Sequence, residues 1–153
     1  MRISGLVVLG ILIAGCGGDG SGPADPVPAS LVGTWVAQPS CSPACSFTLT
    51  SVANPNAHID LIAAPSSATI QLALTADGAA VLSLFGQTVL GTAAATGSTL
   101  MLGSSGQVDT LDYVIMSNGY LDLTFRSALP SPIDFNGDQL ADPAYGRAVM
   151  KKQ

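Results

Sequence analysis

The stretch Thr69-Ile70-Gln71-Leu72-Ala73-Leu74-Thr75 alternates aliphatic side chains with small or polar ones, residue by residue. Successive side chains of a β-strand point to opposite faces, so the three large aliphatic residues fall on one face of an extended segment. The pattern therefore predicts a strand that buries one face in a hydrophobic core.

The same two-residue period recurs along most of the chain after residue 31. It is found in segments 46–50, 111–115 and 120–126. Turn signals separate the segments: Asp77-Gly78, Thr96-Gly97, the stretch 103–106 and Asn118-Gly119. Because tight turns of this composition join antiparallel neighbours, we predict an all-β fold, an antiparallel up-and-down barrel of about eight to ten short strands. A β-sandwich is the alternative arrangement of the same strands.

The N-terminus has the parts of an export signal. Arg2 precedes an apolar run from Leu6 to Ala14, and small residues follow it. The apolar run is about nine residues long, whereas a membrane-spanning helix takes roughly 20, so we do not expect a transmembrane anchor.

The run Ile13-Ala14-Gly15-Cys16 resembles the lipobox of bacterial lipoproteins. The resemblance implies cleavage before Cys16 and acyl chains on that cysteine, which would hold the protein on a membrane of the cell envelope. Gly17 follows the cysteine where an Asp would favour the inner membrane, so the resemblance implies the outer membrane. An ordinary secretory signal, with Cys16 incidental, is the alternative.

The chain accordingly divides into three parts. We predict a signal peptide over 1–15, the lipidated cysteine with a flexible Gly- and Pro-rich linker over 16–30, and one β-barrel domain over 31–153. The formal net charge of −5 and the lack of a basic stripe argue against nucleic acid as a partner.

Two further cysteines, Cys41 and Cys45, lie close together in the sequence Cys-Ser-Pro-Ala-Cys. An exported chain meets an oxidising compartment, which favours a disulfide between them. Unpaired thiols or a metal pair are the alternatives, although zinc would need two more ligands that the nearby sequence does not supply.

The first predicted strand carries a marker of a known family. Leu31-Val32-Gly33-Thr34-Trp35 resembles the Gly-x-Trp element of lipocalins and small lipocalin-like domains, in which the tryptophan closes one end of the barrel. The resemblance implies an arginine from late in the barrel over that tryptophan, with Arg126 and Arg147 as candidates. It also implies an interior that binds a small apolar ligand. The alternatives are a filled barrel that acts as a structural or interaction domain, and a buried tryptophan in some other β domain.

A loop near the C-terminus spaces oxygen-bearing residues regularly. Asp134, Asn136, Asp138 and Asp142, with the backbone carbonyl of Leu140, resemble the calcium loops of extracellular repeat domains. A weak calcium site is one expectation, with no other cofactor. A loop shaped by Asx turns is the alternative, because Gln139 stands where calcium loops prefer glycine.

The sequence offers little for catalysis. His58 is the one histidine, with Asp60 two residues further on, and no serine lies in a Gly-x-Ser-x-Gly turn. Paired catalytic carboxylates and a phosphate-binding glycine loop are also missing. We therefore predict that the protein is not an enzyme.

Overall fold

The computed structural model describes residues 26–63, 68–84, 86–131 and 133–153. These residues form eleven strands, all paired antiparallel, and one short 3-10 helix, Pro39–Cys41. The strands are β1 (Gly33–Ala37), β2 (Ser46–Ser51), β3 (His58–Asp60), β4 (Ile70–Leu74), β5 (Ala79–Leu84), β6 (Gln87–Thr96), β7 (Thr99–Ser104), β8 (Gln107–Ile115), β9 (Tyr120–Phe125), β10 (Leu129–Pro130) and β11 (Pro143–Lys152). The predicted all-β class is confirmed, and no described helix is long and apolar enough to cross a membrane.

Eight of the strands close into a barrel. Their order is β1-β4-β5-β6-β7-β8-β9-β11, and β11 returns to β1 through the pairs Trp35 with Lys152 and Val36 with Lys151. Ring closure satisfies the backbone groups that an open sheet would leave at its two edges. The up-and-down barrel is thus confirmed over the alternative sandwich.

The other three strands extend the wall beside β11. β1 pairs only with residues 151–152 at the end of β11, and β2 pairs with residues 144–149 of the same strand. β3 pairs with β2, and β10 pairs with the start of β11. β11 therefore joins the two ends of the described chain into one sheet.

Alternating burial is clearest in β4, β9 and β11, where residues buried inside the barrel alternate with more exposed ones. In β4 the buried residues are Ile70, Leu72 and Leu74, while Gln71 and Ala73 between them are less buried. The largest fully buried side chains of the described residues are Val27, Leu31, Trp35, Cys45, Ile62, Leu72, Leu100, Leu111, Leu121 and Met150.

The chain before β1 packs on one end of the barrel. Val27 and Leu31 are both 0% exposed, and the backbone N–H of Ala95 donates to the carbonyl of Pro26 at 2.8 Å. The last residues of the predicted linker, 26–30, therefore belong to the folded domain. The predicted signal peptide, and the linker up to residue 25 with Cys16, lie outside the described residues.

The predicted turns fall between strands. At Ser105-Gly106 both residues have positive φ, 50° and 83°, which is the backbone of a two-residue hairpin turn. At Asp77-Gly78 and Asn118-Gly119 only the glycine has positive φ. Those two turns are longer than the two-residue form, because Thr75 and Met116 each accept a hydrogen bond from the glycine three residues later.

Candidate functional site

One end of the barrel is closed by Trp35. Its side chain is 1% exposed, and its indole N–H donates to the carbonyl of Leu31 at 2.8 Å. The bond satisfies the ring's one polar group, so the indole is buried without an unpaired donor. Leu100 and Leu111, each 0% exposed, belong to the same buried core.

The cation over Trp35 is Lys152, whose Nζ lies 5.2 Å from the centroid of the indole ring. Lys152 reaches the ring because the two residues are register partners in β11 and β1. Gly33 makes room for it: a Cβ on Gly33, which has φ +129°, would lie 2.7 Å from Cε of Lys152. Gly33, Trp35 and Lys152 therefore form one closing unit at this end of the barrel.

The two predicted arginines bind elsewhere, so the choice of Arg126 or Arg147 as the cation over Trp35 was wrong. Nε of Arg126 donates to Asp112 at 3.0 Å, and Nε of Arg147 donates to Asp122 at 2.9 Å. Both arginines project outward: Arg126 follows the inward-facing Phe125 at the end of β9, and Arg147 lies between the buried Gly146 and Ala148 of β11. The hydrogen bond from Arg126 holds the pKa of Asp112 below its ordinary value.

The other half of the barrel contains a cavity of about 620 Å³. Its walls are mainly aliphatic and aromatic side chains on the inner face of the strands. They are Phe47, Ile70, Leu72, Leu82, Leu84, Leu102, Leu111, Leu123, Phe125, Leu129, Ala148 and Met150, with Gln107, Val108, Asp109 and Ala128 completing the lining. Val108 is 65% exposed, so the cavity reaches the surface beside the start of β8.

A small neighbouring cavity of about 60 Å³ lies between β5, β6 and β7 and shares Leu72, Leu82 and Leu102 with the main one. Gly91 and Gly103 line it, and a Cβ on Gly91 would lie 2.1 Å from the carbonyl oxygen of Gly103. A side chain on Gly91 would therefore collide with the backbone of β7, so glycine allows the two strands to approach this closely. The two cavities also share Asp109 and Phe125, so they are adjacent.

Two charged site residues were missed from the sequence, Lys152 at the closed end and Asp109 at the cavity. Each continues the inward side of its strand: Lys152 follows Met150 in β11, and Asp109 precedes Leu111 in β8. A sequence signal for both exists: each is a charged residue near the end of a strand, and it is separated from the buried residues of that strand by an even number of positions.

The predicted disulfide between Cys41 and Cys45 is present. Cys45 is 0% exposed, and it belongs to the buried core together with Phe47 at the start of β2. The bridge thus fixes the loop that leads from β1 to β2, next to the closed end of the barrel.

The Asp134 loop is organised by its own hydrogen bonds. The two carboxylate oxygens of Asp134 accept backbone N–H groups of Gly137 and Gln139 at 2.6 and 2.7 Å, and these bonds hold the pKa of Asp134 below its ordinary value. Gln139 adopts φ +69°, the turn that glycine would favour there. The side-chain amide of Asn136 donates to both Asp138 and Asp142.

In the described part of the chain, no group of three or more His, Cys, Asp or Glu side chains is placed to hold a metal ion. The hydrogen bonds within the loop are those of Asx turns, in which an Asp or Asn side chain accepts the backbone N–H two residues later. Leu140, the predicted carbonyl ligand, has a side chain that is 68% exposed, and its N–H donates to Asp138 at 2.8 Å.

His58 and Asp60 both lie in β3, away from the cavity lining. The Nδ1 of His58 lies 3.2 Å from the carbonyl of Asn56, and Asp60 accepts the backbone N–H groups of Phe47 and Ile62 at 3.1 Å each. His58 therefore contacts the β2–β3 connection, whereas Asp60 links the start of β2 to the residues that follow β3.

Comparison with protein-family models and with curated proteins found no match to this chain. The fold and the cavity therefore carry the functional argument.

Proposed function

We propose that the protein is a lipid-anchored lipoprotein of the bacterial cell envelope whose barrel binds a small apolar molecule without catalysing a reaction. The observation that carries the binding role is the cavity of about 620 Å³ in one half of the barrel. Cavities that take small ligands fall in the range of roughly 300 to 1,000 Å³, and an eight-stranded barrel is wide enough to hold one such ligand.

The walls of the cavity supply the driving force. Leu82, Leu84 and Leu102 are only partly buried, although they lie on the inner face of the barrel. An apolar ligand would remove this surface from water, and each square ångström so covered contributes about 25 cal/mol. The packed core around Trp35 closes the opposite end, which limits how deep a ligand reaches.

The anchor rests on the sequence alone. Each buried methylene of a lipid chain contributes about 0.8 kcal/mol, so several acyl chains on Cys16 would hold the domain at a membrane surface without a spanning helix. The Gly- and Pro-rich residues after Cys16 would separate the barrel from that surface.

The anchor is tested by fractionating cells that express the wild-type chain or Cys16→Ser. We expect wild type in the membrane fraction and Cys16→Ser in the soluble fraction of the envelope. Retention of Cys16→Ser on the membrane would contradict the lipid anchor and leave the binding role untouched.

The binding role is tested with N-phenyl-1-naphthylamine, an uncharged dye that fluoresces in apolar sites. Leu102→Trp would fill part of the cavity and should weaken dye binding. Val114→Trp is the control: the Val114 side chain lies on the outer face of β8 and is 59% exposed, so this substitution should leave dye binding unchanged. Leu84→Trp, nearer the mouth, is the second blocking variant should Leu102→Trp fail to fold. Equal dye binding by wild type and both blocking variants would refute the cavity as the binding site.

A further inference from the structure

We infer that the cavity selects amphiphiles with a cationic headgroup, such as long-chain amines, over fatty acids of the same length. This inference rests on the proposed ligand-binding function and names the chemical class of its ligand. It is carried by Asp109, the one charged residue among the sixteen described residues that line the cavity.

Asp109 is placed where the headgroup of an inserted ligand would lie. It pairs with Leu102 across β7 and β8, and it shares the inner face of β8 with the fully buried Leu111. Exposure rises along this face from Leu111 toward Gln107, so Asp109 lies on the mouth side of the packed core. A tail directed toward Leu111 therefore leaves its polar end beside the carboxylate.

None of the sixteen described lining residues carries a positive charge, and besides Asp109 the polar side chain among them is Gln107, an uncharged amide. The described residues form two ion pairs, Arg126 with Asp112 and Arg147 with Asp122, and Asp109 takes part in neither. Arg126, next to the lining residue Phe125, is directed to the outer face, where it also donates to Thr99 at 2.9 Å.

The chemistry of the mouth follows from this arrangement. An ammonium headgroup would be attracted by Asp109 and could donate hydrogen bonds to it, whereas a carboxylate headgroup would be repelled and would find no cation. Because Asp109 is exposed, the interaction is screened by water, and we expect a preference of about tenfold in affinity.

The experiment uses the full chain carrying Cys16→Ser, so that no acyl chain competes for the site. Dodecylamine, dodecanol and dodecanoate, all below their micelle concentrations, displace N-phenyl-1-naphthylamine from the barrel at low salt. We expect dodecylamine to displace the dye at about one tenth of the dodecanoate concentration, with dodecanol between them, and the difference to shrink at high salt.

Asp109→Asn keeps the shape of the side chain and removes its charge, so it should abolish most of the preference. Asp77→Asn is the matched control: it changes the net charge equally, in the exposed turn between β4 and β5 at the Trp35 end of the barrel. It should keep the preference.

The outcomes separate the two claims. Dye displacement without a headgroup preference, or a preference that survives in Asp109→Asn, would overturn the inference and leave apolar binding standing. Failure of the dye and of all three amphiphiles to bind would refute the proposed function itself and the inference with it.

Discussion

Two leucines of β7 offer the sharpest test of a barrel that is packed at one end and open at the other. Leu100 and Leu102 lie on the same face of the same strand, two residues apart. Leu100 is 0% exposed and pairs with the fully buried Leu111, whereas Leu102 is partly buried and lines both cavities. The same substitution, Leu to Ala, should therefore cost different amounts at the two positions.

Leu100→Ala leaves a void in a close-packed region, and such changes lower the free energy of unfolding by about 3 kcal/mol or more. Leu102→Ala enlarges a space that already exists, so it loses only the contacts of a half-buried side chain, about 1 kcal/mol. We expect a difference of roughly 2 kcal/mol between the two variants, beyond the error of denaturant extrapolation for a small domain.

Equilibrium unfolding in urea, with the disulfide intact and any bound lipid removed, measures both values, and unchanged m-values establish that the unfolded states are comparable. Equal losses at the two positions would refute the reasoning, since they would mean that both halves of the barrel are packed alike. Dye affinity provides an internal check, because Leu102→Ala should alter it and Leu100→Ala should not.

Three further predictions concern the closed end and the surface carboxylates. Gly33→Ala should lower the free energy of unfolding by about 1 to 3 kcal/mol, since φ is +129° and the new Cβ would lie 2.7 Å from Cε of Lys152. Thermal unfolding of this variant, with and without Lys152→Ala, measures the loss. A Gly33→Ala variant as stable as wild type would contradict the geometry. The pKa values of Asp112 and Asp134 lie below that of an ordinary aspartate, because Arg126 donates to the first carboxylate and backbone N–H groups, led by that of Gly137, donate to the second. Their stabilisation is therefore present above the ordinary aspartate pKa and is lost as the pH falls through the lower folded values. Urea midpoints from neutral pH downward should fall more for wild type than for Asp134→Asn, and parallel curves would argue against it. Melting temperatures in millimolar calcium and in chelator should agree, because the backbone N–H groups of the Asp134 loop already bind the Asp134 carboxylate. A clear rise of the melting temperature in calcium would support a calcium site in this loop.

The local pattern of the chain determined the class of fold and much of the closed end. Alternation in segments such as 69–75 fixes which side chains share a face, and Gly-containing turns mark where the chain reverses, so strands and hairpins were predictable without tertiary information. Cys41 and Cys45 are close enough in sequence for their pairing to be predicted as well. A buried Trp35 followed from the Gly-x-Trp resemblance.

Tertiary structure decided how the strands line up with one another and what that alignment leaves empty. Alternation along a strand specifies which face of the sheet a side chain occupies. Its height along the barrel axis depends on the register between strands that are distant in the chain, such as β1 and β11. That register places Lys152, and neither arginine, over Trp35. The same non-local alignment brings small and partly buried residues together in the half of the barrel that contains the cavity, where Ala148 and Asp109 both belong to the lining. An alternating pattern of apolar residues is the same for a barrel with a packed interior and for one with a cavity. Only the closed ring of strands could therefore distinguish a packed interior from an open one.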